Sequence, residues 1–360
     1  TIFYLYIFVI GTIFGSFSSV IIDRLKNNKS GIITGRSECP KCRHKLGAKD
    51  LIPIFSFLNT KGKCRYCKSK ISYLYPILEI SMGILFVLST YFLIDISLIL
   101  SGNLVEIYKL CFYLLFSFLS LIYVVYDILY LEIPDSILAI LIGITFLTVS
   151  LQSIFPNFQI INILHSYTNA FSFKEILGFI GLGIITISGF YFIMLKGLRE
   201  IFDVAILSVI ICTIVIIKFY FGINLEQTAI GNAILGSLAI FLFLFLQILI
   251  SSGAWMGGGD LRIGILIGLI VGLGFSFHSM MTSYLFGSFV GIGLIIYGKI
   301  RQHCNKKKLN IISRIKKLVG IEEKKVTLDT KMPFGPFLAL GIFVILFWGN
   351  LISEYLKNYL

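Results

Sequence analysis

The chain has 360 residues, of which 57% are hydrophobic and 14% charged, and it carries a formal net charge of +13. A mean hydropathy of +0.93 and recurring apolar runs of about 20 residues, the length that crosses a bilayer as a helix, exclude an ordinary soluble globule. The surplus of positive charge would suit nucleic acid, but the placement of the charges gives it a different meaning.

About ten apolar spans are read along the chain, at 2–22, 75–94, 108–126, 137–155, 175–195, 203–221, 229–250, 262–276, 281–298 and 333–352. With the N-terminus outside, the segments 23–73, 127–136, 196–202, 251–261 and 299–332 all fall on the cytoplasmic side. Of the 31 basic residues, only Lys109, Lys174, Lys218 and Lys357 then lie on or near the other side. That asymmetry is the positive-inside bias of membrane proteins, and it leaves no need for a nucleic-acid partner. The expected fold is an all-α polytopic membrane protein with a small cytoplasmic zinc-ribbon-like insert. The first span, 1–22, lacks a small-residue cleavage site and precedes a basic loop, so it reads as a retained anchor. The absence of an initiator Met implies a sequence that begins just after it.

The segment 23–73 is polar and long enough to fold as an insert. It holds Cys39-Pro-Lys-Cys42 and Cys64-Arg-Tyr-Cys67, separated by 21 residues. Two CxxC pairs at this spacing suit one tetrahedral zinc between two knuckles. Cytoplasmic thiols stay reduced, which disfavours disulfides, and Lys41, Arg43, Lys63 and Arg65 favour the thiolate form. Four cysteine ligands leave no open position, so the zinc is expected to be structural. His44 reads as a surface residue. Cys111 and Cys212 read as small core residues of apolar spans, and Cys304 has no assignable role.

The membrane core runs over 74–298. Within it, spans 175–195 and 203–221 flank a short turn with Lys196, Arg199, Glu200 and Asp203 and could form a helical hairpin. No internal repeat is evident. Two carboxylates stand at the cytoplasmic ends of spans: Asp127, in YVVYDILYLEIPD, and Asp260, in WMGGGDLRIG. Ionisable groups at such positions are costly and are functional candidates. Two facing aspartates can share a proton, the ionised one activating water while the protonated one polarises a carbonyl. Gly257, Gly258 and Gly259 let backbone approach a substrate closely and place Asp260 at a helix N-terminus. Taken singly, either motif is more often a solvated cap or a flexible turn; on one face they point to a site. Asp23, Glu132 and Asp135 read as caps or supporting groups, and Pro134 as the start of the fourth span.

The segment 299–332 is basic, and Ile311, Ile312, Ile315, Leu318 and Val319 recur at helical spacing. It reads as an interfacial helix on anionic lipid. The last span and tail occupy 333–360.

These blocks together resemble the type IV prepilin peptidase family. GSFSSVIIDRL (15–25), the CxxC pairs, YPILEISMG (75–83), YDILYLEIPD (126–135), MGGGDLR (256–262) and PFGPFLALG (333–341) occur in the family's order. The resemblance implies an aspartyl endopeptidase of the bacterial cytoplasmic membrane. It would cut after the last glycine of a basic leader, before the apolar helix of a prepilin or pseudopilin, in type IV pilus assembly or protein secretion. It places catalysis on Asp127 and Asp260, with Gly257, Gly258, Gly259 and Arg262 in the active-site loop. It also associates Glu79 and Gly83 with methylation of the new N-terminus by S-adenosylmethionine. The chain departs from the pattern at Arg262, where Lys is usual, at Ser19 for Asn and at Lys26 for Pro. Residues 156–228 read as an insertion that adds two spans to the usual eight.

A presenilin-type GxGD peptidase would also accept Tyr126-Asp127 and Gly257-Gly258-Gly259-Asp260, but it gives no reason for the cysteine insert and the Pro-Ala-Leu element is missing. An ion-coupled transporter would place its acids near the midplane, whereas these lie at the edge. An inactive scaffold would tolerate Asp-to-Asn changes.

Overall fold

A computed structural model of the protein describes residues 2–27, 37–155, 157–161, 164, 181, 228–251, 255–303 and 332–359. The expected spans at 175–195 and 203–221, and the basic segment beyond 303, lie outside them. The described helices are α1 (Ile2–Lys26), α2 (Phe55–Asn59), α3 (Leu74–Leu93), α4 (Ile96–Leu100), α5 (Leu104–Tyr130), α6 (Asp135–Ile154), α7 (Ala229–Ser251), α8 (Gly258–His303) and α9 (Gly335–Tyr359). Among the described residues, α1, α3, α5, α6, α7 and the 258–297 part of α8 are long and apolar enough to cross a membrane. The apolar part of α9, Gly335–Gly349, is shorter. The chain divides into two units: Thr1–Ile96 with Leu110–Pro134 and Ser288–Pro333, and Ser97–Lys109 with Asp135–Gly287 and Phe334–Leu360.

In the first unit α1 lies against α3 at backbone distance. A methyl group on Gly11 would come within 2.7 Å of the Gly83 Cα, and one on Gly15 within 2.6 Å of the Glu79 Cα. Such contact lets two helices associate in lipid, where burying leucine against leucine gains little. Against α5, the Phe14 ring meets Phe118 at 5.1 Å, and the Ser89 and Ser117 hydroxyls of α3 and α5 share a hydrogen bond of 2.8 Å.

A backbone amide of the polar insert is tied to this pair. The Ile54 amide donates to the buried Glu79 carboxylate at 2.7 Å. Ile54 holds φ 61° and ψ −51°, a left-handed φ that a β-branched residue adopts only under constraint. Glu79 supplies that constraint from the second turn of α3.

The second unit is built around α7 and the first part of α8. At Gly268 a methyl group would run into the Ser237 backbone, and Ser237 Oγ donates to the Ile265 carbonyl at 3.0 Å. Within α8, Gly272 takes φ 70° and ψ 178°, a conformation open to glycine. The Leu273 amide, released from the helix, donates to Asn232 Oδ1 at 2.7 Å. Further along, Tyr284 donates to Gln247 at 2.7 Å, at the other end of α7, and lies 3.7 Å from the Met256 sulfur. The chain therefore runs from Gly258 along α7 towards its start, turns at Gly272, and comes back. The spans expected at 262–276 and 281–298 form this one broken helix, and the break falls earlier than the sequence implied because the apolar run is continuous through it. Gly341 of α9 packs on Ser279 and Ser283 of the returning arm.

The end of α6 holds the residues that follow it. Gln152 accepts from the Ile160 and Ile161 amides, at 3.2 and 2.9 Å, and donates to the Ile161 and Leu164 carbonyls, at 3.1 and 2.7 Å. The α1 helix continues to Lys26, four residues past the expected edge of the first span at 22. Cys111, expected in the core, is exposed on α5.

Gly15→Ala and Gly268→Ala are each expected to destabilise the protein by about 1–3 kcal/mol through overpacking, read as a lower midpoint of thermal unfolding in detergent. Gly143→Ala, where nothing lies within 4 Å of the added methyl, should leave the midpoint unchanged or raise it. Glu79→Leu should leave the Ile54 amide unsatisfied at a cost of about 1–3 kcal/mol and expose the 51–60 segment to limited proteolysis. Glu79→Gln, which keeps an acceptor, should protect it.

Candidate functional site

The insert is two copies of one turn. In each, the amide of the first cysteine donates to a carbonyl five residues on: Cys39 to His44 at 3.0 Å and Cys64 to Ser69 at 2.8 Å. The residue after each second cysteine donates back, Arg43 to the Cys39 carbonyl at 2.8 Å and Lys68 to the Cys64 carbonyl at 3.0 Å. Both of those residues are left-handed, at φ 55° and 58°. One antiparallel bridge closes each turn, Glu38 with Lys45 and Lys63 with Lys70. This repeat escapes the sequence, since beyond the cysteines the turns share little identity and backbone hydrogen bonds carry the likeness.

The first cysteine of each pair is buried and the second exposed, and all four sulfurs lie within 4.8 Å of one another. Cys39 and Cys67 are 3.9 Å apart at sulfur, close to the edge of about 3.8 Å that a tetrahedron with metal–sulfur bonds of about 2.3 Å requires. Cys39, Cys42, Cys64 and Cys67 can therefore hold a metal ion. The Ser69 hydroxyl, 3.1 Å from the Cys67 sulfur, and the Ser69 backbone lower the Cys67 thiol to about 6. The Cys39 thiol is lowered too, chiefly by the Cys42 backbone. Asp50 braces the second turn: it pairs with Arg65 at 3.0 Å and accepts from Tyr66 at 3.1 Å and from the Gly47 amide at 3.2 Å. His44, exposed as expected, lies over the Tyr66 ring with centroids 3.6 Å apart.

Asp127 belongs to the first unit. It is 5% exposed and sits in the last turn of α5, where its carbonyl accepts from the Leu131 amide at 2.8 Å. Leu131, at φ 57°, ends the helix in the left-handed conformation that glycine more often supplies, at a cost of about 1–2 kcal/mol. One turn before Asp127, Tyr123 is fully buried. Just beyond, Glu132 pairs with Lys26 at 2.9 Å, and the Lys26 ammonium lies 4.7 Å from the Tyr130 ring centroid. Lys26, a departure from the family pattern, thus joins the ends of α1 and α5. Asn27 donates to the Asp23 carboxylate at 2.9 Å.

Asp260 belongs to the second unit and is 8% exposed. Gly257 is the N-cap of α8: its carbonyl accepts from the Asp260 amide at 3.1 Å, and its own amide donates to Asp260 Oδ2 at 3.2 Å. The carboxylate thus lies over the open amides of the helix start, as a capping box places it. No atom lies within 4 Å of a side chain added at Gly258, so the backbone there is open to an approaching chain. Arg262 forms an ion pair with Asp135, the first residue of α6. This pair joins the starts of α8 and α6. Tyr284, which sequence reasoning missed, stands within electrostatic reach of Asp260. It lies in an apolar run with no motif around it, so no sequence signal marked it.

Glu79 and Gly83 lie on the face of α3 that meets α1, where Glu79 holds Ile54 and Gly83 admits Gly11.

The model of the bacterial peptidase A24 N-terminal domain matches residues 9–93. That stretch contains the four clustered cysteines and Glu79 and ends before Asp127 and Asp260. Proteins named prepilin leader peptidase/N-methyltransferase also match. The one from Myxococcus xanthus is 40% identical over 85 residues, 24% of this chain and 25% of the relative. The one from Bacillus subtilis is 45% identical over 80 residues, 22% and 32%, and the one from Klebsiella pneumoniae 41% over 91 residues, 24% and 40%. The matches thus span from a quarter to two-fifths of the length of these relatives. No solved structure matches. Over residues 9–93 this chain is similar to the bacterial peptidase A24 N-terminal domain and, over 80–91 residues, to proteins named prepilin leader peptidase/N-methyltransferase.

Proposed function

We propose that the protein is a membrane-embedded aspartyl endopeptidase that removes the basic leader from prepilin-like substrates at the cytoplasmic face of the bacterial inner membrane. The observation that carries this reading is the company of the two aspartates. An A24-type N-terminal domain at 9–93 precedes two buried carboxylates, each at the end of a membrane helix, in the order YD…GGGD.

Hydrolysis needs one carboxylate to take a proton from water and another to give one to the scissile amide. The helix dipole favours negative charge at the start of α8 and disfavours it at the end of α5. Asp260 is accordingly the ionised base and Asp127 the proton-bearing partner that polarises the carbonyl. The glycines 257–259 let an unwound substrate strand come close to Asp260, and Arg262 keeps the start of α8 fixed against Asp135. The leader stays on the cytoplasmic side and the apolar helix of the prepilin stays in the bilayer, so the cut falls at the boundary where both aspartates stand.

The four cysteines hold a structural zinc, which keeps the insert folded and supplies no open coordination position. Methylation of the new N-terminus with S-adenosylmethionine is supported by the names of the relatives. Glu79 and Gly83 already have packing roles, so their part in that step would be indirect.

Purified protein in detergent should cut a prepilin-type substrate after its leader glycine. Asp127→Asn and Asp260→Asn should each abolish cutting, by a factor of about 100 or more, without lowering the unfolding midpoint; mutants that cut like the parent would sink the dyad. One zinc per chain is expected by elemental analysis. It should be lost in Cys39→Ser or Cys64→Ser and released on acidification as the thiolates protonate, and a metal-free protein with an intact insert would sink the zinc assignment.

A further inference from the structure

The insert has a face that water should not keep. Around α2, Phe57 and Ile54 turn inward: the Phe57 ring meets Tyr73 at 5.2 Å and covers Gly62, and the Ile54 amide is held by Glu79. The opposite side shows Leu51, Ile52, Phe55 and Leu58, exposed by 40%, 50%, 72% and 65%. Four neighbouring large apolar side chains on a five-residue helix and its approach form a patch that ordinarily marks a contact surface.

Its depth is set by the bond to Glu79. That residue lies five positions into α3, about 7 Å along the axis from Leu74. Residues 51–58 therefore stand beside the first turns of a membrane-crossing helix, level with the exposed Tyr75 and Ile77. Tyrosines at a helix end are typical of the membrane–water boundary. The charges agree. Lys49, Lys61 and Lys63 flank the patch and are exposed, and Asp50, the acid among them, is engaged by Arg65, Tyr66 and Gly47.

We propose that residues 51–58 seat the insert on the bilayer. Leu51, Ile52, Phe55 and Leu58 enter the headgroup–acyl boundary, and Lys49, Lys61 and Lys63 meet anionic lipid headgroups. Short amphipathic segments of this kind bury about 5–10 Å deep and bind through apolar area plus charge. The inference needs the chain to span a membrane and is independent of the peptidase reading. Its consequence is that the two CxxC turns are held at a fixed height above the membrane from two sides, by Glu79 within the protein and by lipid below.

The test uses the full chain in nanodiscs with both native tryptophans replaced (Trp255→Phe, Trp348→Phe). Phe55→Trp and Leu58→Trp are introduced singly, with Lys45→Trp on one of the CxxC turns as a control. In nanodiscs containing anionic lipid, the indoles of Phe55→Trp and Leu58→Trp should emit at blue-shifted wavelength and lose emission to lipid brominated near the carboxyl end of its chains. The control should be quenched by aqueous iodide alone. Replacing the anionic lipid with neutral lipid, or adding Lys49→Gln, Lys61→Gln and Lys63→Gln, should reduce the lipid quenching. Indoles at both positions that stay red-shifted and open to iodide would overturn the proposal. So would shielding that appears only when a prepilin-type peptide is added, which would make the patch a substrate surface. Shielding that scales with the number of chains per disc would make it a contact between copies. Two independent positions guard against one variant failing to fold.

Discussion

Helices in lipid cannot hide leucine from a solvent that is itself hydrocarbon, so their backbones must come close enough for contact to matter. Gly15 against Glu79 and Gly268 against Ser237 are two of the places, among the described residues, where this protein meets that constraint. Both lie near residues on which other elements depend. The α1–α3 contact carries Glu79, which holds Ile54 and through it the cysteine insert. The α7–α8 contact carries the helix that begins at Gly258 and holds Asp260 in its first turn. A methyl group at either glycine would open the seam and shift the element that depends on it.

Much of this was legible in the residues. Hydropathy marks α1, α3, α5, α6 and α7 because a helix must satisfy its own backbone in lipid, and that requirement writes itself as length and apolarity. The CxxC pairs mark the insert because four thiolates at that spacing have few other uses. Asp127 and Asp260 stand out because carboxylates are rare at such depth. The break at Gly272 was hidden, since a single glycine in an unbroken apolar run looks like any other, and its partner Asn232 lies in another helix. The bond from Ile54 to Glu79 was hidden for the same reason. It joins residues far apart in sequence whose complementarity, an orphan amide and a buried carboxylate, exists only after folding. The ion pair of Arg262 with Asp135 was hidden likewise, because the two residues lie in different helices.

The cap and the catalytic group need not be rival descriptions of Asp260. A carboxylate that accepts from the Gly257 amide is held in place at the helix start, and under the proposed function a base with a fixed position would lose little entropy when a substrate arrives. Asp127 is fixed differently, by burial at the end of α5 among Tyr123 and Tyr126. The insert, with its buried and exposed sulfurs and its brace at Asp50, shares neither device and shows no open chemistry. Its architecture is that of a support.

The turn at Gly272 also affects how this protein would be mapped. It lies against Gly236 and Asn232, inside the length of α7 rather than beyond its end. An insertion between Gly272 and Leu273 would break the bond from the Leu273 amide to Asn232, so insertional tagging would disturb the contact it was meant to map. A reading from length and hydropathy alone counts one span over Gly258–Tyr297, although the chain turns back on α7 within it.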